Sequence, residues 1–362
     1  MKESKDIRDR ETEEASESMA EVIPPDDIVA FNEARSCADL FRLFAQQQLD
    51  VAPGFQRKVV WSNKEQTLFI DSLIKQLPIP SLCISLDAKS QKRVVIDGLQ
   101  RMHTIIRFLN YKIEDWRLSL CKDVDKRISG RKVSEIYEQE PDLFNRMENL
   151  TIPITVLRCD YSKPSHMDYL FQIFRRLNSG GRRLLNQEIR NCIYQGAFNT
   201  YLKQIVRDAV WMKTMGVTLS QVENARYGNE ERVLRFFAME SDWQGYTGNL
   251  AQFLNDYMKA NRNMSDSVLN RKDQVLKSTL GIIVKMEIPK DVLRNKNLME
   301  GIMVGIAKNM ELLSREDAPS LRRRYAILKK TAPYSVDVKE GMAHTDKVKE
   351  RIRQAISVFG AQ

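Results

Sequence analysis

Val94-Val95-Ile96-Asp97-Gly98-Leu99-Gln100-Arg101 decides the reading of this chain. A β-branched run ends in Asp-Gly, and apolar residues at helical spacing follow at once: Met102, Ile105, Ile106 and Leu109. A strand that turns through glycine into a helix leaves the first helical N–H groups unpaired and facing outward. Such a terminus suits anions, and glycine permits close approach to the backbone. Arg101, in the first helical turn, adds a forked donor that matches phosphate oxygens. Helical spacing sets Asp97, Arg101 and Thr104 on one side, Gln100, His103 and Arg107 on another, and the apolar residues toward a core. Asp-Gly-x-x-Arg taken alone also fits an N-cap aspartate beside a solvent-exposed arginine.

Working outward, Leu82-Cys83-Ile84-Ser85-Leu86 is strand-like, residues 87–92 read as a hairpin turn, and residues 93–96 form the antiparallel partner. Ser62-Asn63-Lys64-Glu65 has capping-box spacing, followed by the stripe Phe69, Ile70, Leu73, Ile74 and Leu77. Pro78 and Pro80 end that helix. Residues 38–44 give a short helix and residues 50–55 an extended entry. Residues 115–149 read as an insertion with short helices, 151–157 as a strand and 167–177 as a helix. Asn178-Ser179-Gly180-Gly181 breaks that helix, and Asn186 is expected to cap the next. From about Leu202 onward the pattern is almost wholly helical. The expected division is a charged, disordered or loosely attached tail over 1–27, a first domain over 28–200 and a helical domain over 201–362.

The 362 residues are 43% hydrophobic, enough for a substantial core and two domains. A net charge of +9 and a pI near 9.2 favour a polyanionic partner such as nucleic acid over an acidic or membrane-bound role. Cys37, Cys83, Cys121, Cys159 and Cys192 lack redox or zinc spacing and read as reduced thiols, with Cys83 in a strand core. His103, His166 and His344 lack metal-ligand spacing and read as surface or structural residues. No apolar run approaches membrane-spanning length, and Met1-Lys2-Glu3-Ser4-Lys5-Asp6 is not a signal peptide, so a soluble cytoplasmic protein is expected. There is no P-loop, spaced G-x-G-x-x-G, H-E-x-x-H or G-x-S-x-G.

Three polar clusters interrupt apolar segments and place arginine and amide groups beside turns. The first is Phe55-Gln56-Arg57, and the second is the Asp97–Arg101 turn. The third runs from Arg175 through Asn178, Gly180, Gly181, Arg182 and Arg183 to Asn186, Glu188, Arg190 and Asn191. Gly180-Gly181 allows successive N–H groups to form an anion nest; the same residues fit a helix C-cap before a basic, solvated loop. Arg182 and Arg183 are candidates for nucleic-acid contact. The run Arg322-Arg323-Arg324, with Lys329-Lys330, is a further backbone-contact candidate, or simply a solvated helix face.

The three clusters, in this order, resemble the GmrSD-type restriction endonuclease N-terminal domain family. That family has a Q-R-x-x-x-W segment, a D-G-Q-Q-R turn and an R-[LI]-N-x-G-G…L-x-x-x-E-[IL]-R-N segment. Here they read Gln56-Arg57…Trp61, Asp97-Gly98-Leu99-Gln100-Arg101, and Arg176-Leu177-Asn178-Ser179-Gly180-Gly181 with Leu184, Glu188, Ile189, Arg190 and Asn191. The resemblance implies an α+β fold: a small mixed sheet with a ParB/sulfiredoxin-like core and helical insertions, followed by an all-helical C-terminal domain. It implies a bacterial restriction or phage-defence role, with Asp97 orienting a water or a metal while Gln100 and Arg101 hold phosphate oxygens. Gln56 and Arg57 would supply a second wall, and Asn178 with Gly180 and Gly181 a third, with Glu188 and Arg190 in the same segment. Leu99 stands where the family has its first glutamine, and the HNH-type nuclease module of longer relatives is not found, so a short form is expected.

The favoured expectation is a nucleotide-binding, NTP-hydrolysing protein with catalytic residues Asp97, Gln100 and Arg101, using magnesium and a nucleoside triphosphate. One alternative is a metal-dependent DNA endonuclease in the same cleft, with Asp97 and Glu188 as carboxylates. The other is a non-catalytic DNA-binding or adaptor subunit that docks a defence-system partner protein.

Overall fold

The computed structural model describes residues 24–51, 61–177, 185–225, 227–334 and 345–361. They form two compact units. The described residues between 22 and 184, with Asn191–Ile193, make a sheet-bearing unit, and those of Leu185–Arg190 and Tyr194–Gln362 make a helical one.

The sheet unit contains strands β1 (Val29–Ser36), β2 (Leu49–Asp50), β3 (Leu82–Asp87), β4 (Arg93–Asp97) and β5 (Thr151–Cys159). Their spatial order is β1-β5-β3-β4-β2. The β1/β5 and β3/β4 pairs are antiparallel, whereas β5/β3 and β4/β2 are parallel, so the sheet is mixed. Every residue of β3 is buried, which explains why it reads as a continuous apolar run rather than an alternating one. The β3–β4 hairpin forms as its sequence implies, with Asp87 Oδ2 accepting the Ser90 N–H at 3.0 Å inside the turn. Strands β1 and β2 are additions to the sequence reading, which assigned neither.

Helices α1 (Cys37–Ala45), α2 (Asn63–Ile74), α3 (Leu99–Leu109), α4 (Val133–Gln139), α5 (Pro141–Asn149) and α6 (Pro164–Leu177) complete this unit. Ser62 and Glu65 form the expected reciprocal capping box at the start of α2. Ile70, Leu73, Met102, Ile105 and Phe108, each at most 1% exposed, join Leu82, Ile84 and Val95 in one core. Each such fully buried side chain contributes about 1.5–3 kcal/mol of hydrophobic free energy. The fold is therefore α+β, with a small mixed sheet and helical insertions.

The helical unit takes the first five residues of α7 (Asn186–Ile193). It continues with α8 (Ala197–Ile205), α9 (Ala209–Met215), α10 (Leu219–Asn224), α11 (Gly228–Asp242), α12 (Leu250–Ala260) and α13 (Asp266–Lys285). Then follow α14 (Lys290–Arg294), α15 (Lys296–Lys308), α16 (Met310–Leu313), α17 (Ala318–Leu328) and α18 (Thr345–Gly360). Gly305 lets α15 and α18 approach closely: a Cβ there would lie 2.6 Å from Ala355 Cβ. At the start of α7, Asn186 is the first helical residue and Leu185 the cap, which corrects the expected N-cap. Glu188 does the capping work by accepting the Leu185 N–H at 2.7 Å. Among the described residues no helix is long and apolar enough to cross a membrane.

Candidate phosphate site at the strand-to-helix turn

Strand β4 reaches the turn through a local irregularity. Val95 pairs with Ile84 but Asp97 pairs with Cys83, so Ile96 is an extra residue on β4. Such a bulge bends the strand and re-aims the side chains that follow it. Gly98 then caps α3 with φ +90°, in the left-handed region. Its missing side chain matters twice, because a Cβ would lie 2.2 Å from Leu82 Cδ2. The Met102 N–H donates to the Gly98 carbonyl at 2.9 Å, closing the first helical turn.

Asp97 does not cap the helix. Its Oδ2 accepts from Arg101 Nη2 at 2.9 Å. Arg101 Nη1 donates to the Pro80 carbonyl, and Ser81 O lies 3.4 Å from the same nitrogen. The Arg101 side chain is only 13% exposed, so it is not the solvent-exposed arginine of the simpler reading. Burial pulls the guanidinium pKa below its ordinary value, and the Asp97 charge opposes that shift. The resulting turn carries a folded-back ion pair beside an uncapped helix terminus, with Asp97 the more exposed partner.

The next residues of α3 build toward α2. Gln100 Oε1 accepts the Trp61 N–H at 3.3 Å, which brings the tryptophan of the first motif to the second. Gln66 Nε2 donates to the Trp61 carbonyl at 3.3 Å, and Arg107 Nη1 donates to Gln66 Oε1 at 2.8 Å. Arg107 also donates to Glu114 at 2.9 Å and stacks over the Trp116 ring at 4.6 Å. This polar chain aligns with the predicted Gln100, His103 and Arg107 face, whereas Gln66 and Trp116 carry no sequence signal. Thr104 is fully buried, its hydroxyl donating to the Gln100 carbonyl at 2.7 Å, so it does not share the exposed side of Asp97. His103 Nδ1 is buried and has no hydrogen-bond partner among the described residues. His166 is structural: its Nδ1 accepts the Asp160 N–H at 3.0 Å and its Nε2 meets Asp27 Oδ1 at 2.8 Å.

Gln56 and Arg57, and likewise Asn178, Gly180, Gly181, Arg182, Arg183 and His344, lie outside the described residues. Glu188 and Arg190 group with the helical unit, whereas Asp97, Gly98, Gln100 and Arg101 group with the sheet unit. Arg190 is 1% exposed and donates to Asn255 Oδ1 at 2.8 Å, Gln187 Oε1 at 3.2 Å and the Ala251 carbonyl at 3.3 Å. Burial lowers its pKa to about 10. These bonds make Arg190 a tie between helices. Glu188 is 4% exposed and engaged with the α7 terminus. Among the described residues, no group of three or more His, Cys, Asp or Glu side chains forms a metal site.

The basic run on α17 is largely internally paired. Arg322 meets Glu287, and Arg324 meets both Glu316 oxygens at 2.8–2.9 Å through Nε. Arg323 donates to the Ser320 hydroxyl at 2.8 Å.

No curated protein and no solved structure matches this chain. A family model does match, over residues 39–195, a span that holds the capped α2, the β4–Gly98–α3 turn and the Glu188–Arg190 segment. Residues 39–195 thus belong to the family of the GmrSD restriction endonuclease N-terminal domain.

Proposed function

We propose that this protein is a nucleotide-phosphate-binding component of a bacterial DNA restriction or phage-defence system. The carrying observation is the left-handed Gly98 that opens α3 at the end of a bulged strand, with no side chain among the described residues capping the terminus. Anionic oxygens are favoured at such a terminus by the exposed amides and the helix dipole. Arg101 supports the site from behind: tied to Asp97 and the Pro80 and Ser81 carbonyls, it fixes the turn and supplies positive charge. Gln100, which accepts from the Trp61 backbone, holds the segment that follows Gln56 and Arg57.

A magnesium ion fits this site as an escort of the triphosphate rather than as a resident. Asp97 is the carboxylate at the turn, 36% exposed, and a metal-bound triphosphate would turn its charge from a repulsion into an attraction. Bound magnesium supplies charge neutralisation on the phosphates. Leu99 bears on turnover: its aliphatic side chain at the turn supplies no amide to position a water beside the phosphates. The reading is therefore tight binding with slow hydrolysis.

Calorimetric titration of the purified chain with each common nucleoside triphosphate, with and without magnesium, tests it. Saturable binding of at least one is expected, weakened about tenfold by Arg101→Lys, or about 1.4 kcal/mol. A lysine lacks the fork that spans Asp97 and two carbonyls. Absence of binding by every triphosphate, with a folded wild type in the cell, overturns the proposal.

A further inference from the structure

Arg351 on α18 is 2% exposed, yet its Nη2 has no hydrogen-bond partner among the described residues. Arginine stays protonated in proteins, so the chain does not escape this charge by neutralising it. An unanswered charge in a packed interior is costly, and buried charges are therefore paired. Burial pulls the Arg351 pKa below its ordinary value, and Glu300 opposes that shift through space.

The groups around it are already committed. Glu300 on α15 accepts from Arg235 Nε of α11 at 2.8 Å through Oε2. Arg235 also lies in the field of Arg351, so two guanidiniums share one carboxylate. Farther along α11, Glu231 answers both Lys296 at 3.0 Å and Arg190 at 3.9 Å, and has no charge to lend. Tyr334 and Tyr246 face the same charge. The Tyr334 hydroxyl donates to the Arg351 carbonyl at 3.1 Å and the Tyr246 hydroxyl to the Gly248 carbonyl at 3.0 Å. A water would satisfy the open N–H group, but it carries no charge and leaves the excess in place.

We propose that a small monovalent anion, chloride, sits against the Arg351 guanidinium and ties α18 to α11 and α15 inside the helical unit. Arg235 and Arg351 exceed Glu300 by one charge, which a monoanion cancels. Space there is short: a Cβ on Gly301 of α15 would collide with the Tyr334 hydroxyl and lie 3.5 Å from Arg351 Cβ. Donors are short as well. Phosphate presents several oxygens that each seek a donor, whereas the two tyrosine protons are given to carbonyls. Chloride has a single centre and accepts from one guanidinium without a fixed angular demand. This place is distinct from the Gly98 turn, which belongs to the sheet unit.

Thermal melts of the full chain in sodium chloride and in sodium gluconate, at equal ionic strength, test the site. Chloride should raise the wild-type melting temperature by at least about 2 °C over the bulky gluconate, levelling off as the site fills. Arg351→Met keeps much of the side chain's length without its charge, and should melt at the same temperature in both salts. Arg101→Lys, at the turn proposed for phosphate, should keep the full chloride response, which separates the two sites. In wild-type crystals soaked in bromide, an anomalous-scattering peak is expected beside Arg351. A wild type indifferent to chloride, or an Arg351→Met variant that responds as wild type does, overturns the proposal. So does an Arg351 without bromide, its charge answered by water or by a carboxylate of the chain.

Discussion

Gly98 meets two constraints at once, a positive φ and a neighbour with no room for a Cβ. The left-handed conformation costs an L-residue about 1–2 kcal/mol, and crowding in a packed core about 1–3 kcal/mol more. Gly98→Ala should therefore lower stability by about 2–5 kcal/mol in urea unfolding. Gly228→Ala is the control: nothing lies within 4 Å of its Cβ position, and the substitution should be neutral or stabilise by up to about 1 kcal/mol. At the adjacent position, Leu99→Gln places an amide at the turn and, on the proposed reading, should raise triphosphate turnover while leaving affinity within about threefold, measured by phosphate release. His103 gives a pH signature. Burial, helped by Arg107, pulls its pKa below the ordinary 6.5, so the unfolded chain takes up the proton first as pH falls. The stability associated with the neutral ring is full above 6.5 and is lost as pH drops toward the folded value. Between about pH 7 and pH 5, His103→Leu should show a shallower loss of melting temperature than wild type. A parallel loss in both proteins would remove the argument.

Helices and strands differ in how plainly their residues announced them. The Ser62–Glu65 box, the β3–β4 hairpin and the strand–glycine–helix turn were legible because each rests on local spacing and turn chemistry. Strand β1 was not, because an exposed edge has no buried face to impose alternation, and β2 is two residues long. The fate of each arginine was also hidden. That Arg101 reaches the Pro80 and Ser81 carbonyls depends on how β3 and α3 are placed, and the burial of Arg190 depends on Asn255 and Ala251, some sixty residues away. Between α11 and α15, Arg235 donates to Glu300 Oε2 and to Asn297 Oδ1, each at 2.8 Å, in the interior of the helical unit. Glu300 is 4% exposed, and Arg351 on α18 also lies in its field. Removing one partner of a buried ion pair strands the other charge and costs about 3–5 kcal/mol. Glu300→Ala should lose that much in chemical denaturation, whereas Glu287→Ala, at an exposed pair with Arg322, should lose less than about 1 kcal/mol.

Across the whole molecule, a net charge of +9 and a restriction-type domain favour association with DNA through phosphate contacts. Net charge alone does not say which cations are available, and local pairing decides it. On α17, the most basic run of the helical unit, Arg322 meets Glu287. Arg324 is held by Glu316, and its side chain is only 15% exposed. An arginine already bonded to a carboxylate gains little from a phosphate, because one charge-assisted pair is exchanged for another. Duplex DNA affinity, followed by fluorescence anisotropy, should fall as salt rises. Arg322→Ala and Arg324→Ala should each leave both affinity and salt slope within about twofold of wild type. Arg324→Ala should nonetheless lower the melting temperature, since Glu316 and the Val358 and Ala361 carbonyls lose their donor. A tenfold loss of DNA affinity with a shallower salt slope in either variant would mean that these pairs open to accept phosphate, and that the α17 face is a contact surface after all.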